Sequence, residues 1–111
     1  MNNIEKLYEL AGIDRFDYEL AKYPDFTDTK QLELIKWLAV KHSKYSILHI
    51  DKYCNYFRVS FDKDKCKDGA GYEFDYAGFN TDFSQALAGL ICELWEDLSD
   101  EQREEVRGIL Q

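Results

Sequence analysis

Two segments near the middle of the chain alternate apolar and polar residues with a period of two, and this pattern restricts the possible folds more than any other. The segments are "YFRVSF" (56–61) and "GYEFDYAGF" (71–79). Such alternation indicates strands with one face against a core and the other in water, as in antiparallel sheets. The segment "YSILHI" (45–50) precedes them and is predicted to be a further strand. Because short connections join the three segments, we expect a three-stranded antiparallel β-meander.

The sheet face that points away from the core is a candidate binding face. Its predicted members are His49, Tyr56, Arg58, Ser60, Glu73 and Asp75. Tyrosine and arginine are enriched at protein interfaces, so Tyr56 and Arg58 would be the anchors of a contact. Pairing of Arg58 with Glu73 or Asp75 across the strands explains the same residues without any function. Both interpretations stay open at this point.

Apolar residues at helical spacing predict two helices before the strands and two after them. The segments are 2–12, 26–42, 80–98 and the residues from Ser99 onward. The predicted order is α-α-β-β-β-α-α, an α+β fold in which four helices pack with the β-meander. At 111 residues the chain is expected to form a single domain, 1–111. Residues 14–26 fit either an extended piece or a short helix that ends before Pro24.

Capping residues indicate where these helices begin. The predicted N-caps are Asn3, Asp28 with Thr27 as the alternative, Asp82 and Ser99. Gln31, Gln85 and Gln102 follow the last three caps at the spacing of a capping box. In the second helix, the spacing predicts an inner face formed by Leu32, Ile35, Leu38 and Ala39, widened by Leu34 and Trp37.

Charge is distributed unevenly along the chain, whose formal net charge is −8. The net charge is −4 over residues 1–29, +5 over 30–67 and −9 over 68–111. Binding to phosphates requires Lys and Arg, so we expect no direct binding to nucleic acid. No apolar run approaches the roughly 18 residues of a membrane span, and the first residues lack a secretory pattern. We therefore expect a cytoplasmic protein, a monomer or small homo-oligomer, with three reduced cysteines of which Cys92 is buried.

The candidate metal and catalytic motifs are incomplete. A calcium loop at residues 64–75 fails at its third position, which is Cys66, and at its twelfth, which is not Glu. His42, His49, Cys54 and Cys66 match no compact zinc spacing, and a Cys54–His49 pair lacks an orienting third residue. The sequence has no phosphate-binding, dinucleotide-binding, zinc-protease or serine-hydrolase motif. We predict no metal, no cofactor and no catalytic residue, and an enzyme is the least favoured class.

The segment "CELWEDLSDEQREEVRGIL" (92–110) concentrates negative charge near one end of the chain. Its seven carboxylates are Glu93, Glu96, Asp97, Asp100, Glu101, Glu104 and Glu105. The helix dipole favours Asp100 and Glu101 in the first turn of the last helix but disfavours Glu96 and Asp97 at the end of the preceding one. Like-charge pairs one turn apart cost roughly 0.2–0.5 kcal/mol each. A solvated face that maintains solubility and a negative patch that meets a positive partner are both consistent with this arrangement.

The segments "YPDFTDTKQLELIKWL" and "ALAGLICELWEDLSDEQREEVRGIL" resemble small proteins encoded by bacteriophages and prophages, of the group with an α-β-α sandwich arrangement. The resemblance covers about half of the chain and rests on helix patterns, and that group has no shared active site to transfer. Phage genomes also carry short acidic proteins that inhibit host defence, including anti-CRISPR proteins. The acidic segment is similar in character to those that imitate DNA. The resemblance implies an inhibitor that acts in the cytoplasm of an infected bacterial host.

Three hypotheses of function follow. In the first, the protein is a phage-type, non-catalytic inhibitor whose seven acids occupy the basic groove of a host nucleic-acid-binding defence protein, with Tyr and Trp side chains as apolar anchors. In the second, a pocket between helices and sheet sequesters a nucleotide-like signal. Its phosphate ligands would be Lys41, Lys44, Lys52 and Arg58. In the third, the chain is a structural or assembly protein of a phage particle.

Overall fold

The computed structural model describes residues 2–13, 26–41, 48–52, 55–62, 74–80 and 82–111. These residues form α1 Asn3–Leu10, α2 Asp28–Lys41, β1 Leu48–Lys52, β2 Phe57–Asp62, β3 Phe74–Asn80, α3 Phe83–Leu94 and α4 Asp100–Leu110. A 3₁₀ turn, Trp95–Asp97, joins α3 to α4. The α+β class, with two helices before the strands and two after them, is confirmed. The ambiguous segment 14–26 lies, except for Phe26, outside the described residues.

The sheet is antiparallel, and the strand order is β1-β2-β3. In its register, Val59 of β2 is opposite Ile50 of β1 and Gly78 of β3. β1 ends at Lys52, two residues beyond the predicted end. Residues 45–47 and 71–73, with which the first and third strands were predicted to begin, lie outside the described residues.

The middle strand is buried on both faces at Val59 and Ser60. Val59, on the face toward α3, and Ser60, on the opposite face, are both 0% exposed. The prediction that Ser60 lies on a wet face was therefore wrong. A serine side chain is small, and on the middle strand it has a neighbour on each side, here His49 of β1 and Ala77 of β3. The period of two correctly predicted that Val59 lies on the core face. It did not predict that Ser60, on the opposite face, is buried as well.

Helix α3 packs on β3 and β2 and forms the centre of the core. Its buried residues are Ala86, Leu87, Ala88, Gly89, Leu90, Ile91 and Leu94. Helix α1 packs against α3 as well. The buried side chains of α1 and α4 are Ile4, Leu7, Tyr8, Val106 and Leu110. Because each large apolar side chain contributes about 1.5–3 kcal/mol on full burial, α3 is the element on which the others depend most.

Strand β3 and helix α3 approach each other through glycines. An ideal Cβ atom on Gly78 would overlap the carbonyl oxygen of Ala86 and come within 2.5 Å of the amide nitrogen of Leu90. An ideal Cβ on Gly89 would lie 3.4 Å from the Cα atom of Gly78. The two backbones therefore meet directly at this point, and no side chain fits between them.

The inner face of α2 differs from the predicted one. Leu34 and Leu38 are fully buried and Trp37 is nearly so, whereas Leu32 is 51% exposed and Ala39 is exposed. The prediction that Leu32 and Ala39 face the core was wrong. Because α2 carries apolar residues on both sides, several stripes satisfy the helical period, and packing against the rest of the fold selects one of them.

Two helices begin one residue earlier than predicted. The side chain of Asn2, rather than Asn3, caps α1 by accepting a hydrogen bond from a backbone amide three residues later, at 2.9 Å. At α2, the alternative Thr27 makes the same kind of bond through its hydroxyl, at 3.3 Å, and Asp28 is the first helical residue. Both caps are short polar side chains of the expected types.

Two predicted capping boxes are not formed because their glutamines make tertiary contacts. Gln85 Oε1 accepts from the backbone amide of Ile4 at 3.1 Å, which attaches α1 to α3. Gln31 Nε2 donates to the carbonyl oxygen of Phe26 at 2.9 Å, and Gln31 Oε1 accepts from the Ser84 hydroxyl at 3.1 Å. The bonds to Ile4 and Ser84 thus join elements that are distant in sequence, whereas the bond from Gln31 to Phe26 is local.

Candidate protein-binding surface

The acidic segment folds into the end of α3, the 3₁₀ turn and α4. Trp95 and Leu98 fix this junction because both side chains are buried. Ser99 begins α4 with a capping box: its hydroxyl accepts from the amide of Gln102 at 3.2 Å, and Gln102 Oε1 accepts from the amide of Ser99 at 2.9 Å. This box confirms the prediction made at Ser99. The predicted helix 80–98 is interrupted after Leu94, so the acids lie on both sides of a fixed turn.

Six of the seven carboxylates are exposed to solvent, and we call them the acidic surface. They are Glu93, Glu96, Asp97, Asp100, Glu101 and Glu104. On α4, the helical period puts Asp100, Glu101 and Glu104 on the side opposite the buried Val106 and Leu110. Packing of α4 on the core therefore turns this group of acids toward solvent.

The seventh carboxylate, Glu105, is partly buried and has a structural contact. Its Oε2 atom accepts a hydrogen bond of 2.6 Å from Nε1 of Trp37, which is itself only 8% exposed. A buried indole N–H usually requires a hydrogen-bond acceptor, and a carboxylate is a strong one. Glu105 thus joins α4 to α2, and it is not part of the acidic surface to which the sequence had assigned it.

Replacing Glu105 with alanine should lower the free energy of unfolding by about 1–3 kcal/mol, because the carboxylate acceptor of Trp37 is lost. The matched control is Glu101→Ala, which removes an exposed acid from the same helix and should change stability by less than about 1 kcal/mol. Urea unfolding, followed by tryptophan fluorescence, measures the free energy of unfolding of both variants. Equal effects of the two substitutions would mean that the Trp37–Glu105 bond contributes nothing.

The two arginines of the segment contact main-chain carbonyl groups. Arg103 Nε donates to the carbonyl oxygen of Trp95 at 3.1 Å, and its guanidinium lies 5.6 Å from the centroid of a Trp95 ring. Arg107 Nε donates to the carbonyl oxygen of Ala11 at 2.6 Å, and the same side chain forms an ion pair with Glu104. These contacts hold both cations against the fold.

A third cation, Lys30, also binds a main-chain carbonyl group at a helix end. Lys30 Nζ, on α2, donates to the carbonyl oxygen of Leu110 at 2.9 Å, at the last residue of α4. Carbonyl groups at helix C-termini lack intrahelical partners and carry the negative end of the dipole, so cations stabilise them. Lys30, Arg103 and Arg107 thus bind main-chain oxygens at or just beyond three helix ends. Of the six exposed acids, Glu104 forms an ion pair with one of them.

The outer face of the sheet contains an ion pair that the sequence analysis did not consider. Arg58 donates from Nε at 3.3 Å and from Nη2 at 2.8 Å to Oδ2 of Asp51, its cross-strand partner on β1. Glu73 lies outside the described residues, and only the backbone of Asp75 is described. Tyr56 is 38% exposed at the start of β2. With Arg58 engaged by Asp51, Tyr56 is the more accessible of the two predicted anchors.

Ser60, His49 and Asp51 share this sheet face, a combination of residue types found in hydrolases. Catalysis requires the base to reach the serine hydroxyl and the acid to orient the base. Ser60 Oγ has no hydrogen-bond partner among the described residues, and Asp51 accepts from Arg58. The described contacts therefore do not assemble a relay from these three residues.

Cys92 is half-buried at the contact between α3 and α1. Its Sγ atom donates to the carbonyl oxygen of Asn3 at 3.5 Å. Burial raises the pKa of this thiol from 9.0 to about 11; Lys6 opposes the shift and Glu93 adds to it. The thiolate is consequently scarce at neutral pH, which makes Cys92 a poor nucleophile and a poor metal ligand.

The other candidate ligands form no metal site in the described part of the chain. No group of three His, Cys, Asp or Glu side chains there is arranged to hold a metal ion. Residues 42–47, 53–54 and 63–73, which include Lys44 and most of the considered metal ligands, lie outside it. Lys52 lies 5.7 Å from the centroid of the Phe57 ring. None of the described helices has the length and apolar character needed to cross a membrane.

Comparisons with known proteins identify no relative: no family model matches the chain, and no curated protein or solved structure shows significant similarity to it.

Proposed function

We propose that the protein is a non-catalytic inhibitor that binds a host defence protein, with its acidic surface occupying a groove that otherwise holds nucleic acid. The partner groove would be lined by Lys and Arg, as grooves that neutralise phosphates are. The phage-type, anti-CRISPR-like character of the inhibitor belongs to this proposal. The observation that carries it is the concentration of six exposed carboxylates around the junction of α3 and α4.

The distribution of nearby cations supports this interpretation over a generally solvated face. On most protein surfaces, charges of both signs are interspersed. Here Arg103 and Arg107 donate to main-chain carbonyl oxygens, Arg107 also pairs with Glu104, and six of the seven acids of the same segment are exposed. The negative potential is therefore only partly neutralised from within the fold, which favours rapid encounter with a positive partner.

The two tryptophans do not serve as the apolar anchors that the sequence suggested. Trp37 and Trp95 are 8% and 6% exposed, so neither indole is available to insert into a partner. Among the described large apolar side chains, Tyr56 remains a candidate contact on the sheet. The proposed interface is consequently dominated by charge, and its affinity should depend strongly on ionic strength.

The experiment that tests the proposal is capture of partners from a bacterial host lysate on the immobilised protein. Capture is carried out at low salt and at about 0.5 M salt, where charges are screened within a few ångströms. We expect a nucleic-acid-binding protein that is captured at low salt, released at high salt and displaced by duplex DNA. The control bait is the Glu93→Lys/Glu96→Lys variant, which should capture much less of that protein. Capture that ignores both salt and DNA, or equal capture by the variant, would refute the proposed mode of binding.

A further inference from the structure

We draw no further inference here: the strongest candidate, the buried hydroxyl of Ser60 on the outer face of the sheet beside His49, carries nothing, because its oxygen is enclosed by the fold and nothing in the described part of the chain shows a ligand that could reach it.

Discussion

Replacing Gly78 with alanine should destabilise the protein by about 3 kcal/mol or more, at the upper end of the range for overpacking. The added Cβ would overlap the carbonyl oxygen of Ala86 and crowd the amide nitrogen of Leu90. Both atoms belong to the backbone of α3, so no rotamer change can relieve the overlap, and the helix must move off the sheet. Since α3 supplies the centre of the core, the displacement affects many buried side chains.

Urea unfolding measures this effect, and Gly108→Ala provides a matched control. An ideal Cβ on Gly108 meets no atom within 4 Å, and the residue is exposed in α4. The same substitution there should stabilise the protein by roughly 0.5–1 kcal/mol, because alanine is the better helix former. If Gly78→Ala unfolds at the same urea concentration as the unmodified protein, the close approach of β3 to α3 is wrong.

Reversing Glu93 and Glu96 to lysine should weaken binding to the captured partner by at least about 100-fold, equivalent to about 2.7 kcal/mol. Each reversal removes an attraction to the proposed basic groove and adds a repulsion. Both residues are exposed, at the C-terminal end of α3 and in the following turn, where the helix dipole favours a cation over an acid. The variant should therefore remain at least as stable as the original, so that loss of binding is separated from loss of fold.

The control for this prediction is Glu9→Lys/Glu33→Lys, which alters the net charge by the same amount on two other exposed residues. Titration calorimetry or surface plasmon resonance compares the two variants at several salt concentrations. A general effect of net charge would weaken the binding of both variants to the partner by the same factor. A groove that recognises the acidic surface would bind the Glu93→Lys/Glu96→Lys variant more weakly than the control. This difference in affinity would shrink as the salt concentration increases.

The helices were the most predictable part of the fold, and α4 illustrates why. Ser99 and Gln102 form a local capping box, and Val106 and Leu110 are four residues apart on the buried side. These signals depend only on neighbours in sequence. The inner face of α2 was not predictable in the same way, because Leu32 and Val40 compete with the buried stripe and only tertiary packing excludes them.

Contacts between distant elements account for the parts of the site that the sequence did not reveal. Burial of Trp37 indicates that its indole N–H needs an acceptor, but not that the acceptor is Glu105, 68 positions away. The Arg58–Asp51 pair follows from the register of the β1–β2 hairpin. The sequence analysis considered partners on β3 alone, and a symmetric pairing of the predicted strands 45–50 and 56–61 would have placed Leu48 opposite Arg58. Asp51 becomes the partner only because β1 extends to Lys52.

The assignment of Lys30, Arg103 and Arg107 to main-chain oxygens has an evolutionary consequence. Because these cations bind carbonyl groups at or just beyond helix ends, we expect their substitution to disturb those ends and folding to constrain their identity. Glu93 and Glu96 are exposed and have no such contact in the described structure, so folding does not constrain their identity. If the acidic surface is the recognition surface proposed above, such proteins could alter it in a few mutational steps and follow a changing target while the scaffold beneath stays the same.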